Sequence, residues 1–330
     1  MQPWMIALII FFVIAVLVLG TALVCFLIVF YSPKRKQPRE DEYPTPEGAV
    51  YDEYREQMEE WIKAIRTMEH TEVSVTSYDG LRLCGAYYEH KKGAPIEILF
   101  HGYRGTGERD LNGGVFRCFA LGRNALIVDH RAAGKSAGHV ITFGIKESRD
   151  ALTWVDFVLK YIDKDAKIIL TGISMGASTV MMAASMPLPH NVVGILADCG
   201  YTSTKAIIQK VSADMKLPAK LVYPFIKLGA RLFGGFDSDA ASPIESMKHC
   251  HLPVIFFHGD ADDFVPASMS EENFAVCTAE HKRLVLIRGA GHGLAFPVDQ
   301  DVYLNELRSF FEPILQTEVK QSATEGTRIP

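Results

Sequence analysis

The chain has 330 residues, 48% of them hydrophobic and 10% aromatic, with 26 Gly, 16 Pro and a net charge of −5. This composition is that of a folded globular protein and excludes a collagen, a disordered chain and a disulfide-rich miniprotein. Residues 40–330 carry 30 Lys and Arg against 39 Asp and Glu. An acidic body is a poor binder of nucleic acid, because phosphate neutralisation supplies most of that affinity, so no nucleic-acid partner is expected.

The first segment predicts a membrane span. From Met5 to Tyr31 there are 27 residues without a charge, and about 20 apolar residues suffice to cross a bilayer core. A cleaved signal peptide is the alternative. Against it, no basic residue precedes the run, the run exceeds the usual ~7–15 residues, and no Ala-x-Ala site closes it. With Trp4 and Tyr31 placed as interfacial aromatic residues, residues 1–31 are predicted to be a transmembrane anchor.

Basic residues after the span predict its orientation. They lie within nine residues of it and are Lys34, Arg35, Lys36 and Arg39, whereas no basic side chain precedes it. The positive-inside rule then predicts a single-pass protein whose chain from Ser32 onward, including any catalytic domain, is in the cytoplasm. The soluble part also holds an odd number of cysteines, five, and no Asn-x-Ser/Thr sequon, which agrees with that compartment.

After the anchor, prolines among charges predict an extended linker over residues 32–49. A helix follows from Tyr51 to Met68; its outer face is acidic, so we expect it to pack on the next domain rather than on a membrane. Strands and helices then alternate. The predicted strands are Glu72–Thr76, Leu81–Tyr88, Ile96–Phe100, Ala125–Asp129, Lys167–Thr171, Val192–Ala197, Pro253–Phe257 and Leu284–Arg288, with helices such as Ser148–Tyr161 and Gly176–Ser185 between them.

The interior strands are continuously apolar, which is typical of strands covered on both faces by helices. We therefore predict an α/β fold with a mostly parallel central sheet in one domain over residues 50–316. A polar, disordered tail is expected at residues 317–330.

The most informative motif is Gly172-Ile173-Ser174-Met175-Gly176. It follows a predicted strand directly and precedes a predicted helix, which is the context of a nucleophile elbow. The serine of such an elbow lies on a strained turn, so the residues two before and two after it must lack bulk. The pentapeptide alone also arises by chance, and it is the placement that makes Ser174 a candidate nucleophile.

A serine nucleophile needs a base that removes its proton and an acid that fixes the tautomer of the base. In this architecture the three residues follow in the order serine, acid, histidine. The strand at Pro253–Phe257 leads into a loop with three aspartates, Asp260, Asp262 and Asp263, and the next strand leads into His292. Spacing alone does not choose among the aspartates, but the order of the elements indicates a Ser-His-Asp triad.

With these motifs, and with the stretches Leu99–Gly105 and Asp129–Ser136, the chain resembles the α/β-hydrolase superfamily. Within it the resemblance is to serine hydrolases of the compact esterase and serine-aminopeptidase-like branch, and it covers roughly residues 71–315. It implies an α/β-hydrolase fold with a small helical cap. The family often has Gly where this chain has Ala132, and a histidine or aromatic residue at Ala133, so this wall of the site is expected to differ.

The resemblance also implies roles for individual residues. The family pattern His-Gly-x-x-Asp-x-x-Val-Pro selects Asp262 as the acid that orients His292. The backbone N–H groups of Tyr103 and Met175 are implied as the donors of the oxyanion hole, each worth about 3–4 kcal/mol in the transition state.

Other histidine motifs have a structural interpretation. His101 and His258 precede glycines at strand ends, and the superfamily uses neither as the base. His249-Cys250-His251 lacks a remote partner that would close a metal site. The sequence has neither a Gly-x-Gly-x-x-Gly loop after a strand nor a phosphate-binding Lys-Ser/Thr loop, so we expect no metal and no cofactor.

An insertion at about residues 200–250 is predicted to form the cap, and its apolar residues either pack it on the body or line an acyl pocket. The sequence favours a membrane-anchored hydrolase that cleaves carboxylic esters. A small-molecule ester, a lipid and a peptide are all candidate substrates. A serine peptidase shares the chemistry and a non-catalytic ligand-binding protein shares the fold, so both stay as alternatives.

Overall fold

The computed structural model describes residues 2–33 and 37–316. Three members of the basic cluster, Lys34, Arg35 and Lys36, and the predicted tail at 317–330 lie outside the described residues. The chain begins with helix α1, Pro3–Val29, and continues after the linker with a 3-10 turn, Ala49–Tyr54, and helix α2, Arg55–Thr67. Helix α1 is the one described helix long and apolar enough to cross a membrane, with a mean hydropathy of 3.1.

Strands and helices alternate through the rest of the described chain. The strands are β1 Thr71–Thr76, β2 Arg82–Tyr88, β3 Ile96–Phe100, β4 Asn124–Val128, β5 Ile168–Ile173, β6 Val192–Asp198, β7 Val254–Gly259 and β8 Lys282–Ile287. The helices are α3 Gly107–Ala120, α4 Glu147–Phe157, α5 Met175–Ala183, α6 Thr204–Asp214, α7 Ala219–Phe233, α8 Pro243–Met247, α9 Ser268–Val276, α10 Ala295–Val298 and α11 Gln300–Gln316. The chain from Val158 to Ile162 extends α4 as a π-helical turn.

The eight strands form one sheet in the order β1-β2-β4-β3-β5-β6-β7-β8. Strand β2 pairs antiparallel with β1 and β4, and all other neighbours are parallel. The predicted α/β class and mostly parallel sheet are therefore confirmed. All parallel strands end at the same edge of the sheet, so the loops after β3, β5, β6, β7 and β8 meet there.

Alternation along each strand divides the core between the two faces of the sheet. On β5, Ile168 and Leu170 join the cluster beneath α4, α5 and α9, in which Trp154 is the largest buried side chain. The intervening Ile169 faces the opposite layer, where it packs with Phe311 and other residues of α10 and α11. This two-sided burial is why the interior strands are apolar at every position.

Helices α6 and α7 of the predicted insertion pack on each other as a cap, and the end of α1 packs against α7, whereas the short α8 packs on α5 and α9 of the body. Phe26 and Phe30 are buried among the apolar residues of the cap. The rings of Phe30 and Phe236 are perpendicular, with their centroids 5.2 Å apart. A Cβ at Gly229 of α7 would lie only 2.4 Å from the carbonyl oxygen of Ala22, so a glycine lets the two helices touch. The last two turns of the predicted anchor are thus part of the packed domain.

Beyond α1 the chain also stays attached to the body. The amide of Ser32 donates to the carbonyl of His139 at 2.8 Å, and the amide of Ile141 donates to Phe30 at 2.9 Å. Further along the predicted linker, the guanidinium of Arg66 donates to the carbonyl of Glu40 at 2.9 Å. The described residues 37–48 contain no helix or strand, turn at Glu40 and Asp41, and lie against the domain.

A buried ionic cluster connects the sheet to α3. Glu97 on β3 is fully buried and accepts hydrogen bonds from Arg117, Arg123 and Thr171. Burial raises the pKa of Glu97, but the two guanidinium groups outweigh it and lower that pKa to about 2. Removing one partner from a buried ion cluster leaves charge uncompensated, which costs far more than loss of an exposed pair.

We expect Glu97→Gln to lower the free energy of unfolding by about 3–5 kcal/mol, because Arg117 and Arg123 would stay buried without a counter-charge. Urea unfolding of the full chain in detergent micelles measures this. Because the pKa of Glu97 is lowered on folding, its contribution is complete above its unfolded pKa and is lost as the pH falls toward about 2.

The exposed Glu272→Gln of α9 is the matched control and should change the free energy of unfolding by less than about 0.5 kcal/mol. Equal unfolding midpoints for the two variants at neutral pH would show that the cluster does not stabilise the fold.

Candidate active site

Ser174 lies on a tight turn between β5 and α5, with φ +56° and ψ −115°. A Cβ at Gly172 would lie 2.1 Å from the backbone of Gly176, and a Cβ at Gly176 would lie 2.0 Å from the carbonyl oxygen of Phe100. Neither position has room for a side chain. The two glycines of the motif therefore allow the turn that presents the Ser174 hydroxyl at the carboxyl edge of the sheet.

The structure brings the three predicted triad residues together from separate loops. His292, after β8, has Nε2 2.9 Å from Oγ of Ser174. Its Nδ1 lies 2.7 Å from Oδ2 of Asp262, in the loop after β7. These contacts fix one tautomer, in which Nδ1–H donates to the carboxylate and Nε2 accepts from the serine hydroxyl.

The surroundings of Asp262 hold its carboxylate in the ionised form. Oδ1 accepts hydrogen bonds from the amides of Phe264 at 2.9 Å and Val265 at 2.8 Å, and Oδ2 lies 3.2 Å from Nε2 of His258. Burial raises the pKa of this carboxyl, but the hydrogen bonds from His258, His292 and the backbone outweigh it, so the pKa lies well below its usual range. A charged Asp262 can stabilise an imidazolium at His292.

The other two aspartates of the loop have different environments. Asp260 accepts a hydrogen bond from the amide of Gly289 at 2.6 Å, and the Asp263 side chain is exposed. Of the three acids, Asp262 is the one that contacts His292.

The loop after β3 lies beside the serine. A Cβ at Gly102 would be 3.6 Å from Cβ of Ser174, and the following residue, Tyr103, lines the same cavity as the serine. Asp110 of α3 holds this loop: its Oδ2 accepts from the amide of Gly102 at 3.0 Å, and its Oδ1 accepts from Arg109 at 2.6 Å. Asp110 was not among the predicted site residues, since its only sequence feature is a place in the first turn of a helix.

The same loop binds the end of α1. The phenolic hydroxyl of Tyr103 donates to the carbonyl of Val29 at 2.7 Å. Arg104, which has φ +53°, donates to the carbonyls of Ile28 at 2.7 Å and Tyr31 at 3.1 Å. Carbonyls at a helix C-terminus lack intrahelical partners and attract cations, so Tyr103 and Arg104 act as a cap for α1.

Ala132, where the resemblance implies a glycine, has φ +62° and is buried. Its carbonyl accepts from the hydroxyl of Ser32 at 2.8 Å, and it belongs to the cluster that packs under the cap. The family's usual glycine suits this left-handed backbone, and the alanine here adopts it with strain.

His101 and His258 make structural contacts. Nε2 of His101 accepts from the amide of His130 at 3.0 Å, and its Nδ1 lies 2.7 Å from the carbonyl oxygen of Gly102. His258 lies between the hydroxyl of Ser270 and the carbonyl of Val265. Through its contact with Asp262, His258 also helps to orient the acid, a role that the sequence did not indicate.

Cys199 lies against the triad, and its Sγ forms a group with ligand atoms of Asp262 and His292 within 4.8 Å of one another. Burial, aided by the nearby Asp198 and Asp262, raises the pKa of the Cys199 thiol well above its ordinary value. A protonated thiol is a poor metal ligand, and the other two groups are already hydrogen bonded to each other. The Cys199, Asp262 and His292 side chains are therefore poorly suited to hold a metal ion, and Asp262 and His292 are better described as a hydrogen-bonded pair.

A cavity of about 560 Å³ opens onto Ser174 and His292. Apolar side chains form much of its wall, among them Met58 and Trp61 of α2 and Phe296 of α10. The linker residues Pro46 and Glu47 and the turn residue Tyr51 also line it. The sequence predicted that α2 packs on the domain. It did not indicate that α2 and the linker line the cavity, because this depends on the path of the chain across the edge of the sheet.

The floor of the cavity is polar. Asp198, at the end of β6, accepts a hydrogen bond from the hydroxyl of Tyr303 at 2.9 Å, and its backbone carbonyl accepts from the amide of Ser174 at 2.8 Å. Burial raises the pKa of Asp198, and the Tyr303 hydroxyl partly opposes this. These contacts hold the elbow from beneath and were not apparent from the sequence.

No family model matches the chain. It is 29% identical over 244 residues to the uncharacterised protein Rv2307c of Mycobacterium tuberculosis, covering 72% of this chain and 78% of that protein. It is 25% identical over 193 residues to the uncharacterised protein YqkD of Bacillus subtilis, covering 58% of this chain and 63% of that protein. The chain thus spans less than two thirds of the length of YqkD.

Solved structures match a larger share of this chain. The esterase Pf2001 of Pyrococcus furiosus superposes with a TM-score of 0.63 at 20% identity, covering 82% of this chain and 98% of that one. The α/β hydrolase GrgF of Penicillium sp. sh18 gives 0.61 at 16% identity, covering 76% of this chain and all of that one (100%). Together with the strand order and the cap, these likenesses show that the chain has the α/β-hydrolase fold, preceded by one apolar helix of membrane-spanning length.

Proposed function

We propose that the protein is a serine hydrolase that cleaves carboxylic esters through an acyl-enzyme intermediate. The observation that carries this proposal is the continuous hydrogen-bonded chain from Ser174 through His292 to Asp262, with contacts of 2.9 and 2.7 Å. A hydroxyl is a weak nucleophile until a positioned base removes its proton, and this chain supplies both the base and the group that orients it.

In the proposed reaction, Oγ of Ser174 attacks the ester carbonyl while Nε2 of His292 takes its proton. The imidazolium, stabilised by Asp262, then gives that proton to the leaving alcohol. Water repeats the sequence on the acyl-enzyme and releases the acid. The backbone N–H groups of Met175, at the start of α5, and Tyr103 would bind the oxyanion, because both residues flank the serine and the helix N-terminus favours negative charge.

The cavity supports an apolar group on at least one side of the ester. Met58, Trp61 and Phe296 offer carbon surface in the cavity that Ser174 also lines, and the cavity volume of about 560 Å³ is that of a small-molecule site. The Pyrococcus relative in fold is named an esterase, which agrees with this substrate class.

A serine peptidase is the second candidate, since the same groups would cleave an amide. Glu47 and Asp263 both line the cavity, and two carboxylates at its mouth could hold the ammonium of a peptide N-terminus. The intact triad argues against a non-catalytic ligand-binding role, because a protein without catalysis has no need of an aligned base and acid.

We also propose that α1 is a retained anchor with the catalytic domain on the cytoplasmic side. Cleavage of residues 1–31 as a signal sequence would remove Phe26 and Phe30 from the apolar cluster of the cap, where both are buried. The basic cluster in the sequence after α1 favours the orientation.

Ser174→Ala should lower kcat/KM for p-nitrophenyl esters by about 10³–10⁶-fold while leaving the melting temperature nearly unchanged, because the hydroxyl contributes chemistry rather than packing. Ser185→Ala, at the exposed end of the same segment, is the matched control and should keep full activity. Undiminished turnover in folded Ser174→Ala would exclude Ser174 as the nucleophile.

A parallel panel of aminoacyl amides separates esterase from peptidase by the ratio of the rate of ester hydrolysis to the rate of amide hydrolysis.

Among the three loop aspartates, Asp262→Asn should reduce kcat by about 10⁴-fold, because an amide favours the wrong tautomer of His292. Asp260→Asn and Asp263→Asn should each stay within tenfold of the parent, since neither contacts the histidine. Steady-state kinetics on one ester substrate measures all three. The assignment of the acid would be wrong if Asp260→Asn were the most damaging variant.

Protease added to sealed, right-side-out membrane vesicles should leave residues 50–316 intact, because the domain is expected on the cytoplasmic side. Detergent should then make the domain accessible to the protease. Digestion before permeabilisation would reverse the orientation without affecting the triad.

A further inference from the structure

One surface of the cap has no role in the proposed chemistry. The outer face of helix α7 carries a stripe of apolar side chains at four-, three- and four-residue spacing, in which Leu221 and Leu232 are exposed and Phe225 and Leu228 are half-buried. Leu221 is 70% exposed and Leu232 is 53% exposed. Leu217, just before the helix, extends the stripe and is 45% exposed. A continuous apolar face of this kind marks an interaction surface rather than ordinary scatter.

The position of the stripe on α7 is defined by its neighbours. At about 100° per residue, the stripe lies between the side that meets α1, marked by Gly229, and the side that carries Lys220, Lys227 and Arg231. It is therefore continuous with the surface of α1. Lys227 and Arg231 form ion pairs with Asp239 and Asp237, whereas Lys220 is exposed beside the apolar stripe, as basic residues are on helices that lie in a membrane interface.

The length of α1 indicates how deep the stripe of α7 lies in the membrane. Its 27 residues span roughly 40 Å at 1.5 Å per residue, about 10 Å more than a bilayer core. The excess corresponds to about seven residues, and the contacts with α7 fall at the C-terminal end, at Ala22 and Phe26. Helix α7 thus lies beside the part of α1 that would leave the hydrocarbon core and enter the headgroup layer.

We propose that the outer stripe of α7 is seated in the lipid bilayer beside α1, so that the cap is a membrane-embedded element and the catalytic domain rests on the membrane surface. The occupant of the stripe is lipid at the boundary between the headgroups and the acyl chains, and Lys216 and Lys220 lie where they can meet anionic headgroups. The proposal rests on α1 being an anchor but not on the hydrolase activity.

The same seating limits the motion of the active site. Tyr103 and Arg104 bind the carbonyls at the end of α1. The loop after β3, which carries the proposed oxyanion donor Tyr103, is therefore held at a set distance from the bilayer. A substrate that partitions into lipid would reach the catalytic loops without first crossing bulk water.

Depth-dependent quenching tests the proposal with the full chain in vesicles of phosphatidylcholine and phosphatidylglycerol. A fluorescent NBD label is attached at Leu221→Cys in a Cys25→Ser background, where the five other cysteines are buried. The matched control is Val302→Cys on α11, also exposed in the structure, and Ile14→Cys in the middle of α1 is the lipid reference. Doxyl-labelled lipids report contact with acyl chains, and iodide reports contact with water.

The label at position 221 should be quenched by doxyl lipids several-fold more than the label at 302, which iodide should quench instead. A label at 221 that only iodide quenches, while the label at 14 is in lipid, would overturn the seating and leave the anchor standing. Shielding of 221 from both quenchers would mean that protein, such as a second copy, covers the stripe. A label at 14 in water would remove the anchor and the seating together, with ester hydrolysis measured separately.

Discussion

The backbone at Ser174 is held in a conformation that few residues adopt. Its φ of +56° is in a region that costs of order 1–3 kcal/mol for a non-glycine residue, and it persists because neighbouring backbone leaves no alternative. Gly172 and Gly176 pack against each other and against the carbonyl of Phe100 with no space for a Cβ. Below, the carbonyl of Asp198 accepts the amide of Ser174. The sheet therefore supports a serine that the turn alone would not hold.

From this fixed point the other groups follow by topology. Parallel strands end at one edge, so the loops after β7 and β8 bring Asp262 and His292 to the serine from positions far apart in the chain. The loop after β3 approaches from the other side and is held by Asp110. Each group is positioned by a strand end and by hydrogen bonds of its own, which is the pre-organisation that the proposed acyl transfer would require.

Regular patterns made the fold predictable from the sequence. All eight strands were predicted to within two residues at either end, because short, continuously apolar runs between turns reflect local geometry. The elbow was recognisable for the same reason. Choosing Asp262 needed a family pattern, since three acids share one loop and only the fold shows which one meets His292.

What the sequence could not show depends on contacts between distant segments. The burial of Phe30 in the cap, the binding of the end of α1 by Arg104, and the lining of the cavity by Pro46 all join residues with no local signal. A boundary between anchor and linker at residue 31 is natural in the sequence, yet the packed domain already includes the end of α1. The apolar insertion was predicted as a cap. Its outward-facing stripe on α7 is evident only from the solvent exposure of the side chains in the structure.

The central claim is that the environment of Ser174 makes its hydroxyl a nucleophile. Labelling of the full chain in its membrane with a fluorophosphonate probe, followed by mass spectrometry of the modified peptide, tests this most directly. We expect one adduct, on Ser174, that disappears in Ser174→Ala and is strongly slowed in His292→Asn. An adduct on a different serine, or equal labelling of Ser174 without His292, would contradict the account.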